Sequence, residues 1–552
     1  MTAAPWLRHY DYWVPPHLTY PQRPLTEILD SAAVDLPDRA ATLFLGATLT
    51  FGDLKARADR MATALHRLGI AHGDRVGIML PNCPQYMVAA FGVLRLGAVV
   101  VNINPTYTAR ELLQLARDSG LRILVTLDAL APLAQAVRGE TVIEHVIITS
   151  IAEYSAARAG APRAEGATAL ADLLSTPADP ALYGTKVGGD DLAVLQYTGG
   201  TTGRPKGAML THANIFANVL QSEAFMFRVR ERGGSRYLMV IPYFHIYAFT
   251  VGLMKGLWVG ATQMLLPKYE VDQVLAAIRD FRPTYVPAVP TIFVSLLNHP
   301  QVKEFGLEHV RIFNSGGAPC PVEVIERFER TIGRPLYEGY GLSESSPVTH
   351  TTPQLAVRKP GTIGVAVPDT DVKIVDIETG RRVMGPGEPG ELCVSGPQVM
   401  RGYWHQPQET ARALRADDTG RVWLHTGDIA RMDDDGFVTI VQRKKDMILV
   451  DAFNVYPSEI EDVLYAHPAV RLAAVIGVPD SYHGEIVKAC IVLKAGAAAT
   501  PDGIVEHCRA QLAPYKVPRQ VEIRDALPMS AVGKILYRVL REETAARPPE
   551  PR

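Results

Sequence analysis

Short β-branched runs alternate with helical patterns between about residues 40 and 340 of this 552-residue chain. RVGIML (75–80) and LAVLQY (192–197) are typical of buried strands, whereas TARELLQLARDSG begins with a capping box of Thr108 and Glu111 and continues as an amphipathic helix. The apolar run YMVAAFGVLRLGAVVVNINP is interrupted by an arginine and a glycine, so it predicts a buried helix and a buried strand rather than a membrane span. Because strands that alternate with helices form mainly parallel sheets covered by helices, the pattern predicts an α/β fold.

The sequence pattern changes twice after this α/β region. From about residue 360 to 440, glycine, proline and aspartate are frequent, and short strand patterns such as DVKIVD, GELCVSG and GFVTIVQ favour a small antiparallel or barrel-like β subdomain. The charged segment QRKKD (442–446) precedes a new series of helices and strands that ends in a helix over KILYRVLREETAA. We therefore predict a large N-terminal domain (1–441), a hinge (442–446) and a smaller, mobile α+β domain (447–552).

Composition excludes several classes of function. The formal net charge of -2 provides no basic field for nucleic acid. The five cysteines are far apart without a C-x-x-C pair, which argues against a disulfide framework or a zinc site and fits a reducing cytoplasm. The N-terminal segment lacks the apolar run of a signal peptide, so we expect a cytoplasmic protein. A peripheral membrane contact through segments such as LMKGLWVGATQMLLP, and a homodimer, stay open.

The segment YTGGTTGRPKGAMLTH (197–212) directly follows a predicted strand. Glycines let backbone N–H groups approach an anion, threonine hydroxyls add donors and Lys206 adds positive charge, so the segment is typical of a phosphate site. A Walker loop is excluded because Lys206 lies between a proline and a glycine. Near-matches to a dinucleotide fingerprint and a nucleophile elbow around Gly341 end in Glu344 and Ser345, which weakens dehydrogenase and hydrolase interpretations.

This segment resembles the phosphate-binding signature of the adenylate-forming superfamily, which includes acyl-CoA synthetases, luciferases and the adenylation domains of peptide synthetases. Segments that resemble the other motifs of that superfamily, in its order, are NSGGAP (314–319), YEGYGLSES (337–345), WLHTGD (423–428), QRKKDMILVDAFNVYPSEIE (442–461) and SAVGKILYR (530–538). The resemblance covers roughly residues 25 to 545 and is strongest to bacterial long-chain fatty acid–CoA ligases.

The resemblance implies a two-step reaction with ATP, Mg²⁺ and CoA. A medium- to long-chain fatty acid would first form acyl-AMP with release of pyrophosphate, and CoA would then displace AMP. Aryl or phenylpropenoid acids are an alternative substrate class. A fatty acyl-AMP ligase that serves a carrier protein is a second alternative, although its extra insertion near the hinge is not visible, and no carrier-protein domain follows residue 545. A non-catalytic nucleotide-binding relative is the third.

The resemblance also implies which residues contact the nucleotide. These residues are Thr198, Gly199, Gly200, Thr201, Thr202, Gly203, Lys206, Gly316, Gly317, Ala318, Glu338, Gly339, Tyr340, Gly341, Leu342, Ser343, Asp428, Arg443 and Lys534. Within this set, Tyr340 is expected to stack on adenine. Asp428 is expected to accept hydrogen bonds from both ribose hydroxyls, with Arg443 adding a further ribose contact.

The implied catalytic groups are Lys534, Glu344, His245 and Lys206. Lys534 would contact the fatty acid carboxylate and the α-phosphate, where a compact cation neutralises developing charge. Glu344, assisted by the Thr198 hydroxyl, would bind Mg²⁺.

The implied substrate contacts are His245, Phe249, Gly317 and Gly341. Of these, His245 would border the carboxylate and Phe249 would gate the acyl tunnel.

The segment after the charged break carries the hinge and the thiol channel in the resemblance. Lys445 stands at the hinge position, and Ala452 and Phe453 would line the CoA channel. Relatives commonly have glycine at the position of Ala452, and glycine permits a close backbone approach. We therefore predict that Ala452 slows thioester formation and leaves adenylation intact.

Overall fold

A computed structural model describes residues 4–157, 160–184, 187–198, 205–226, 232–443, 446–450, 453–480, 484–530 and 533–546. In chain order the strands are β1 Ala40–Phe44, β2 Ala47–Thr50, β3 Arg75–Met79, β4 Val99–Asn102, β5 Ile123–Leu127, β6 His145–Thr149, β7 Thr168–Ala169, β8 Leu192–Thr198, β9 Lys206–Thr211, β10 Arg236–Met239, β11 Thr262–Leu265, β12 Tyr285–Ala288, β13 Ile312–Gly316, β14 Leu336–Gly341, β15 Val348–Thr351, β16 Val365–Ala366, β17 Asp371–Val375, β18 Gly390–Ser395, β19 Leu414–Ala416, β20 Val422–Met432, β21 Val438–Arg443, β22 Ile448–Val450, β23 Phe453–Val455, β24 Val470–Asp480, β25 Gly484–Leu493 and β26 Gln520–Ile523.

The helices lie between these strands. In chain order they are α1 Thr26–Asp35, α2 Phe51–Arg67, α3 Pro84–Arg95, α4 Ala109–Ser119, α5 Ala131–Arg138, α6 Leu170–Leu174, α7 His212–Ala224, α8 Lys255–Trp258, α9 Val271–Phe281, α10 Pro290–Asn298, α11 Val322–Ile332, α12 Pro407–Ala413, α13 Pro457–Ala466, α14 Pro501–Arg509 and α15 Tyr537–Ala545. A π-helix, Ala248–Met254, leads directly into α8.

Two large sheets form the N-terminal part of the molecule. One has the strand order β16-β15-β14-β13-β12-β10-β11-β1-β2 and the other has the order β7-β6-β5-β3-β4-β8-β9. The central strands pair in parallel, while antiparallel partners close the ends at β15, β2 and β9. Every residue of α3 is buried, and its side chains belong to a core cluster that includes residues of both sheets. The predicted α/β fold and the predicted buried helix and strand are therefore confirmed.

Two smaller sheets follow along the chain. β17, β18, β20, β19 and β21 form an antiparallel sheet, as the sequence predicts for this region. The strands from β22 onward form a separate sheet, in which β24 and β25 make a long antiparallel pair and β26 joins β25 in parallel. This last sheet packs with α13, α14 and α15 around its own buried clusters, so the C-terminal part has a core independent of the two large sheets.

Local helix signals in the sequence are confirmed. The Thr108 hydroxyl accepts a hydrogen bond from the Glu111 N–H, and the Glu111 carboxylate accepts from the Thr108 N–H at 2.8 Å, which completes the predicted capping box. Thr211 caps α7 in the same way, through the Asn214 N–H at 3.1 Å. These caps depend only on residues three positions apart, which is why the sequence predicts them.

Two local predictions are wrong or incomplete. The final helix begins at Tyr537 and not at Lys534, because the chain before it is a turn around Gly533. In this turn the Ser530 N–H donates to the Lys534 carbonyl, and the Lys534 N–H donates to the Ser530 hydroxyl. The residues after the phosphate-type loop form strand β9, which the sequence analysis did not anticipate. Since β9 pairs with β8 from Thr198 opposite Lys206, the predicted phosphate loop connects the two strands of a hairpin.

Candidate functional site

Two parallel strands, β13 and β14, end side by side at the candidate site. They are in register, with Gly316 opposite Gly339, and the carboxyl ends of parallel strands are where ligands bind in α/β sheets. The chain leaves β13 through Gly317, whose φ of +84° favours glycine. A Cβ atom added to Gly341 would lie 1.9 Å from the carbonyl oxygen of Pro347, so no side chain fits there. The floor of the site is therefore bare backbone.

Further predicted residues belong to these two segments. They are Ala318 after β13, Glu338 within β14, and Leu342 and Ser343 after β14. The Leu342 N–H donates to the Pro347 carbonyl at 3.1 Å, which fixes the turn that follows β14. Burial raises the pKa of Glu338 to about 8, while the backbone N–H of Cys320 partly counteracts this rise.

Tyr340, Asp428 and Arg443 meet although they are distant in the sequence. The Tyr340 hydroxyl donates a hydrogen bond to the Asp428 carboxylate, and Arg443 Nε lies 3.2 Å from the other carboxylate oxygen. Asp428 on β20 is directly opposite Arg443 on β21, so the antiparallel register fixes this pair. Burial and the neighbouring Asp428 carboxylate raise the pKa of Tyr340 well above its ordinary value. An aromatic ring and a buried carboxylate are thus presented side by side.

Lys534 reaches the glycine floor from the C-terminal part. The carbonyl oxygen of Gly533 accepts a hydrogen bond from the Thr291 hydroxyl at 2.9 Å, which anchors the turn next to α10. A Cβ atom added to Gly317 would lie 3.3 Å from Lys534 Cε and 3.7 Å from its Nζ, so the lysine side chain lies across Gly317. Burial, together with the positive charge of Arg443, lowers the pKa of Lys534 to about 8.

His245 and Phe249 are positioned by the segment that leads into the π-helix. Burial and the charge of Lys534 lower the pKa of His245 to about 3, so this imidazole is neutral at physiological pH. Phe249 is completely buried in the core, within the π-helix. The aromatic residue of this segment that borders the floor is Tyr247, whose ring lies 3.2 Å from a Cβ atom built on Gly316. Its hydroxyl donates to Asn314 Oδ1 at 2.6 Å.

Glu344 lies at the mouth of the site, in a short 3-10 helix, Ser343–Ser345. Its carboxylate accepts a hydrogen bond from the Tyr403 hydroxyl at 2.7 Å, and its backbone oxygen accepts from the Met400 N–H at 2.8 Å. Within the described residues no cluster of three histidine, cysteine, aspartate or glutamate side chains could hold a metal ion. A single carboxylate with neighbouring hydroxyls fits Mg²⁺, which takes few protein ligands and keeps water and phosphate oxygens.

Lys206 is already engaged within the protein. Its ammonium forms an ion pair with the Glu409 carboxylate and lies 5.3 Å from the centre of the Tyr403 ring. Arg412 contacts the other oxygen of Glu409 at 2.5 Å. Lys206 and Glu344 therefore both contact Tyr403, which places the end of the β8–β9 hairpin close to the mouth of the site.

Part of the predicted site lies outside the described residues. This part comprises Gly199, Gly200, Thr201, Thr202 and Gly203 of the phosphate loop, Lys445 at the hinge and Ala452 in the thiol channel. Thr198, at the end of β8, and Lys206, at the start of β9, bracket the loop. Phe453 begins β23, and its side chain is likewise outside the description. The roles predicted for these residues stay predictions.

The sequence analysis missed several residues that contact the predicted ones. The Tyr403 hydroxyl donates to the Glu344 carboxylate, and the Lys206 ammonium donates to the Glu409 carboxylate. The Tyr247 hydroxyl donates to the Asn314 side chain. Tyr403 and Glu409 are 59 and 203 residues from their partners, so no local pattern could pair them. Tyr247 carried a signal, since it is an aromatic residue only two positions from His245, in the segment that enters the π-helix.

The assembled site can bind an anionic nucleotide and neutralise charge at one point. The glycine floor admits a flat ring beside Tyr340, and the buried Asp428 carboxylate can accept from hydroxyl groups. Lys534 directs one cation to the end of the floor, next to a neutral His245. A cation that is partly withdrawn from water stabilises negative charge more strongly than one on the surface.

Comparisons with known proteins give one consistent result. Residues 29–404 match the family model of the AMP-binding enzymes, and residues 459–534 match that of the AMP-binding enzyme C-terminal domain. The long-chain-fatty-acid–CoA ligases of Bacillus subtilis (strain 168) and Salmonella typhimurium (strain LT2) are 42% and 38% identical to this chain, over 98% of it and 98% of their own lengths. The ATP-bound structure of MatB from Rhodopseudomonas palustris has a TM-score of 0.84 at 30% identity, over 94% of this chain and 99% of that one.

Proposed function

Because this chain belongs to the AMP-binding enzymes, we propose that it is an AMP-forming carboxylate–CoA ligase that acts on medium- to long-chain fatty acids. Two similar proteins, matched over nearly their full lengths, are named long-chain-fatty-acid–CoA ligases, and they support this choice of acid. The observation that best supports the proposal is the contact of Lys534 with the glycine floor, beside the Tyr340–Asp428–Arg443 cluster. It places a cation next to the groups proposed to bind the nucleotide, as the reaction requires.

The first half-reaction joins two anions. A carboxylate oxygen of the acid attacks the α-phosphorus of ATP, forms the acyl–phosphate bond and releases pyrophosphate. In this proposal Lys534 Nζ contacts the carboxylate and an α-phosphate oxygen and offsets the negative charge that concentrates there. His245 is neutral and therefore borders the acid without adding a competing charge.

The nucleotide is held by groups that approach it from three directions. The ring of Tyr340 lies against adenine, the Asp428 carboxylate accepts from the two ribose hydroxyls and Arg443 contacts the ribose from its outer side. Gly316 and Gly317 have no side chain, so the edge of the adenine ring would approach their backbone closely. Tyr340 and Arg443 also hold the two oxygens of the Asp428 carboxylate, so the acceptor is oriented before the nucleotide binds.

The triphosphate occupies the mouth of the site in this proposal. Residues 198–203 contribute backbone N–H groups and hydroxyls to the β- and γ-phosphates, and Lys206 assists from the start of β9. Glu344 with Thr198 would hold Mg²⁺, which, when bound, neutralises phosphate charge and orients the leaving pyrophosphate. The Tyr403 hydroxyl fixes the direction of the Glu344 carboxylate, through a hydrogen bond of 2.7 Å.

Two arrangements of the domains would serve the two half-reactions. We propose an N-terminal domain over 1–441, a hinge over 442–446 with Lys445 as its pivot, and a mobile domain over 447–552. The separate C-terminal core and the few bonds of the Gly533 turn to α10 support such a movement. Rotation of the small domain would withdraw Lys534 and bring Ala452 and Phe453 to a thiol channel, where CoA displaces AMP.

One assay separates the candidate activities. Purified protein is given ATP and Mg²⁺ with acids from acetate to palmitate and with cinnamates, with and without CoA, and pyrophosphate, AMP and thioester are measured. We expect acid-dependent pyrophosphate release that is highest with medium- to long-chain fatty acids, together with CoA consumption. Greatest turnover with cinnamates would identify an aryl acid ligase. Pyrophosphate release without thioester would identify an acyl-AMP ligase, and no release with any acid would contradict an enzymatic function.

Placement in the cytoplasm, a peripheral membrane contact and a homodimer stay predictions. Across the part of the chain that the structure describes, no helix has the length and apolar character needed to cross a membrane. Vesicle flotation and the molecular mass in solution would test the membrane contact and the dimer.

A further inference from the structure

The strand that carries Asp428 is interrupted by a bulge. In the antiparallel pair of β18 and β20, Cys393 is opposite His425, whereas Glu391 is opposite Ile429. One intervening residue on β18 therefore faces Thr426, Gly427 and Asp428 on β20. β-Bulges re-aim side chains and are frequent beside active sites. Here the bulge directs Asp428 toward Tyr340 and not along the regular face of the sheet.

A buried carboxylate holds this bulge. Glu391 is 4% exposed, and its Oε1 accepts a hydrogen bond from the Gly427 N–H at 3.1 Å. Gly427 has a φ of +71°, so the backbone at this point is in a conformation that other residues rarely adopt. Hydrogen bonds from charged groups are about twice as strong as neutral ones, and burial strengthens them further. The Glu391 carboxylate therefore fixes the peptide plane directly before Asp428.

The second oxygen of Glu391 is also fixed. Glu391 Oε2 lies 3.5 Å from His425 Nδ1, and both side chains are buried. The same His425 nitrogen lies 3.4 Å from Cys393 Sγ. Because both Glu391 oxygens have neighbours, the carboxylate cannot rotate without losing a contact.

A second hydrogen-bonded link supports the bulge through Thr426. Its hydroxyl donates to the Leu392 carbonyl at 2.8 Å and accepts from the Asp428 N–H at 3.1 Å. The Leu392 carbonyl and the Glu391 carboxylate thus hold the bulge from β18 at two separate points. Thr426 provides an independent way to disturb the backbone of Asp428 without changing a charge.

We propose that Glu391 is a positioning residue for the nucleotide ribose, acting through the Gly427 N–H on the direction of Asp428. The proposal rests on the proposed function, in which Asp428 accepts from both ribose hydroxyls. Glu391 does not touch the nucleotide. An acceptor for two neighbouring hydroxyls works only if it is held within about 0.5 Å of its position, so loss of the link reduces discrimination between ribose and deoxyribose.

The test compares ribose discrimination among matched variants. Acid-dependent pyrophosphate release is measured with ATP, 2′-deoxy-ATP and 3′-deoxy-ATP, and kcat/KM for ATP is divided by the value for each analogue. The variants are Glu391→Ala, Glu391→Gln, Thr426→Ala, Asp428→Asn and the control Glu388→Ala. Glu388 is an exposed carboxylate three positions before Glu391 that also accepts from a backbone N–H, but its donor is Gly385, at 2.8 Å, and not Gly427.

The expected result is a graded loss of discrimination. Glu391→Ala lowers the ratio about tenfold, the effect of one charge-assisted hydrogen bond. Glu391→Gln stays within about threefold of the unmodified protein, because the amide oxygen still accepts from the Gly427 N–H. Thr426→Ala lowers the ratio by at least about threefold, and Glu388→Ala leaves it unchanged.

Two outcomes would overturn different statements. If Asp428→Asn lowers the ratio but Glu391→Ala leaves it within about twofold of the unmodified protein, Glu391 does not position the ribose acceptor. If Glu391→Ala fails to fold, as judged by circular dichroism, an unchanged ratio in Thr426→Ala overturns the inference in the same way. If Asp428→Asn itself leaves the ratio unchanged, the ribose assignment in the proposed function fails, whatever Glu391 does.

Discussion

Two lysines that follow glycine-containing segments have opposite surroundings. Lys206, at the end of the β8–β9 hairpin, is paired with the Glu409 carboxylate beside Tyr403. Lys534, in the Gly533 turn of the C-terminal part, lies across Gly317 and forms no salt bridge with any described residue. The protein neutralises the first cation itself, whereas the second keeps its charge for a ligand.

The difference shows how the fold distributes charge between binding and reaction. A cation that is paired before the substrate arrives contributes to substrate binding only the difference in interaction free energy between its new partner and its old one. A cation withdrawn from water without a partner gains the full attraction of the arriving anion. Burial and the positive charge of Arg443 both lower the pKa of Lys534, as expected for a cation in such surroundings.

Replacement of Lys534 gives the largest effect. Lys534→Ala should lower acid-dependent pyrophosphate release by about a thousandfold, because the charge that offsets the meeting of two anions is lost. Thioester formation from supplied acyl-AMP should fall less than about threefold. Lys494→Ala is the matched control, since Lys494 is a lysine of the C-terminal part whose ammonium donates to the Pro468 carbonyl at 2.8 Å. Equal losses in both half-reactions would show that Lys534 supports the fold and not the activation step.

The pH dependence should distinguish Lys534 from a permanently charged group. Since the pKa of Lys534 is lowered to about 8, the ammonium form is lost as pH rises through that value, and kcat/KM for ATP should fall above it. In Lys534→Arg the cation persists, so the high-pH decline should disappear even though activity is lower. The measurement is pyrophosphate release between about pH 6.5 and 9.5. A decline at the same pH in both proteins would assign it to another group.

Replacement of Lys206 should have a smaller effect of a different kind. Lys206→Ala is expected to raise the KM for ATP about tenfold and to change kcat less than about threefold, since Lys206 is already paired with Glu409. Steady-state kinetics with saturating acid gives both values, and Lys206→Arg serves as the charge-preserving control. A fall in kcat as large as that of Lys534→Ala would contradict the proposed difference between the two lysines.

Substitution of Ala452 tests whether this residue of the small domain restricts the thiol channel during thioester formation. Ala452→Gly is expected to raise CoA-dependent turnover about threefold and to leave pyrophosphate release in the absence of CoA unchanged, because glycine permits closer backbone approach. Stopped-flow measurement of thioester formation from acyl-AMP isolates this step. Absence of any gain would refute the predicted restriction at this position.

The partner of Lys206 offers the smallest and most direct test of the comparison. Glu409→Gln should lower the KM for ATP about twofold, because the ammonium is released from its internal carboxylate. Arg412→Gln, which removes the other cation on Glu409, is the matched control and should raise the KM slightly. A rise in the KM after Glu409→Gln would indicate that the pair orders the hairpin instead of restraining Lys206.

Much of the fold follows from local patterns. The capping box at Thr108, the buried helix α3 and the antiparallel strands after residue 360 depend on neighbours within a few positions, so the sequence predicts them correctly. The start of the last helix was predicted three residues too early, because the turn of Ser530 with Lys534 uses backbone bonds that composition does not reveal. Strand β9 is not predicted because the glycine-rich segment directly before it is typical of a loop and gives no sign of a hairpin.

The fold class, the order of the motifs and the residue types that can bind a nucleotide are evident from sequence patterns. Only the tertiary structure brought Tyr340 to Asp428, Tyr403 to Glu344 and Glu409 to Lys206, since these pairs are separated by 88, 59 and 203 residues. It also decided that Lys534 faces Gly317 with a lowered pKa, and that Glu391 holds the backbone beside Asp428. The sequence gives the type of each site residue, but burial and hydrogen-bond partners decide the protonation and orientation of its side chain. Burial and partners arise only when distant segments pack together.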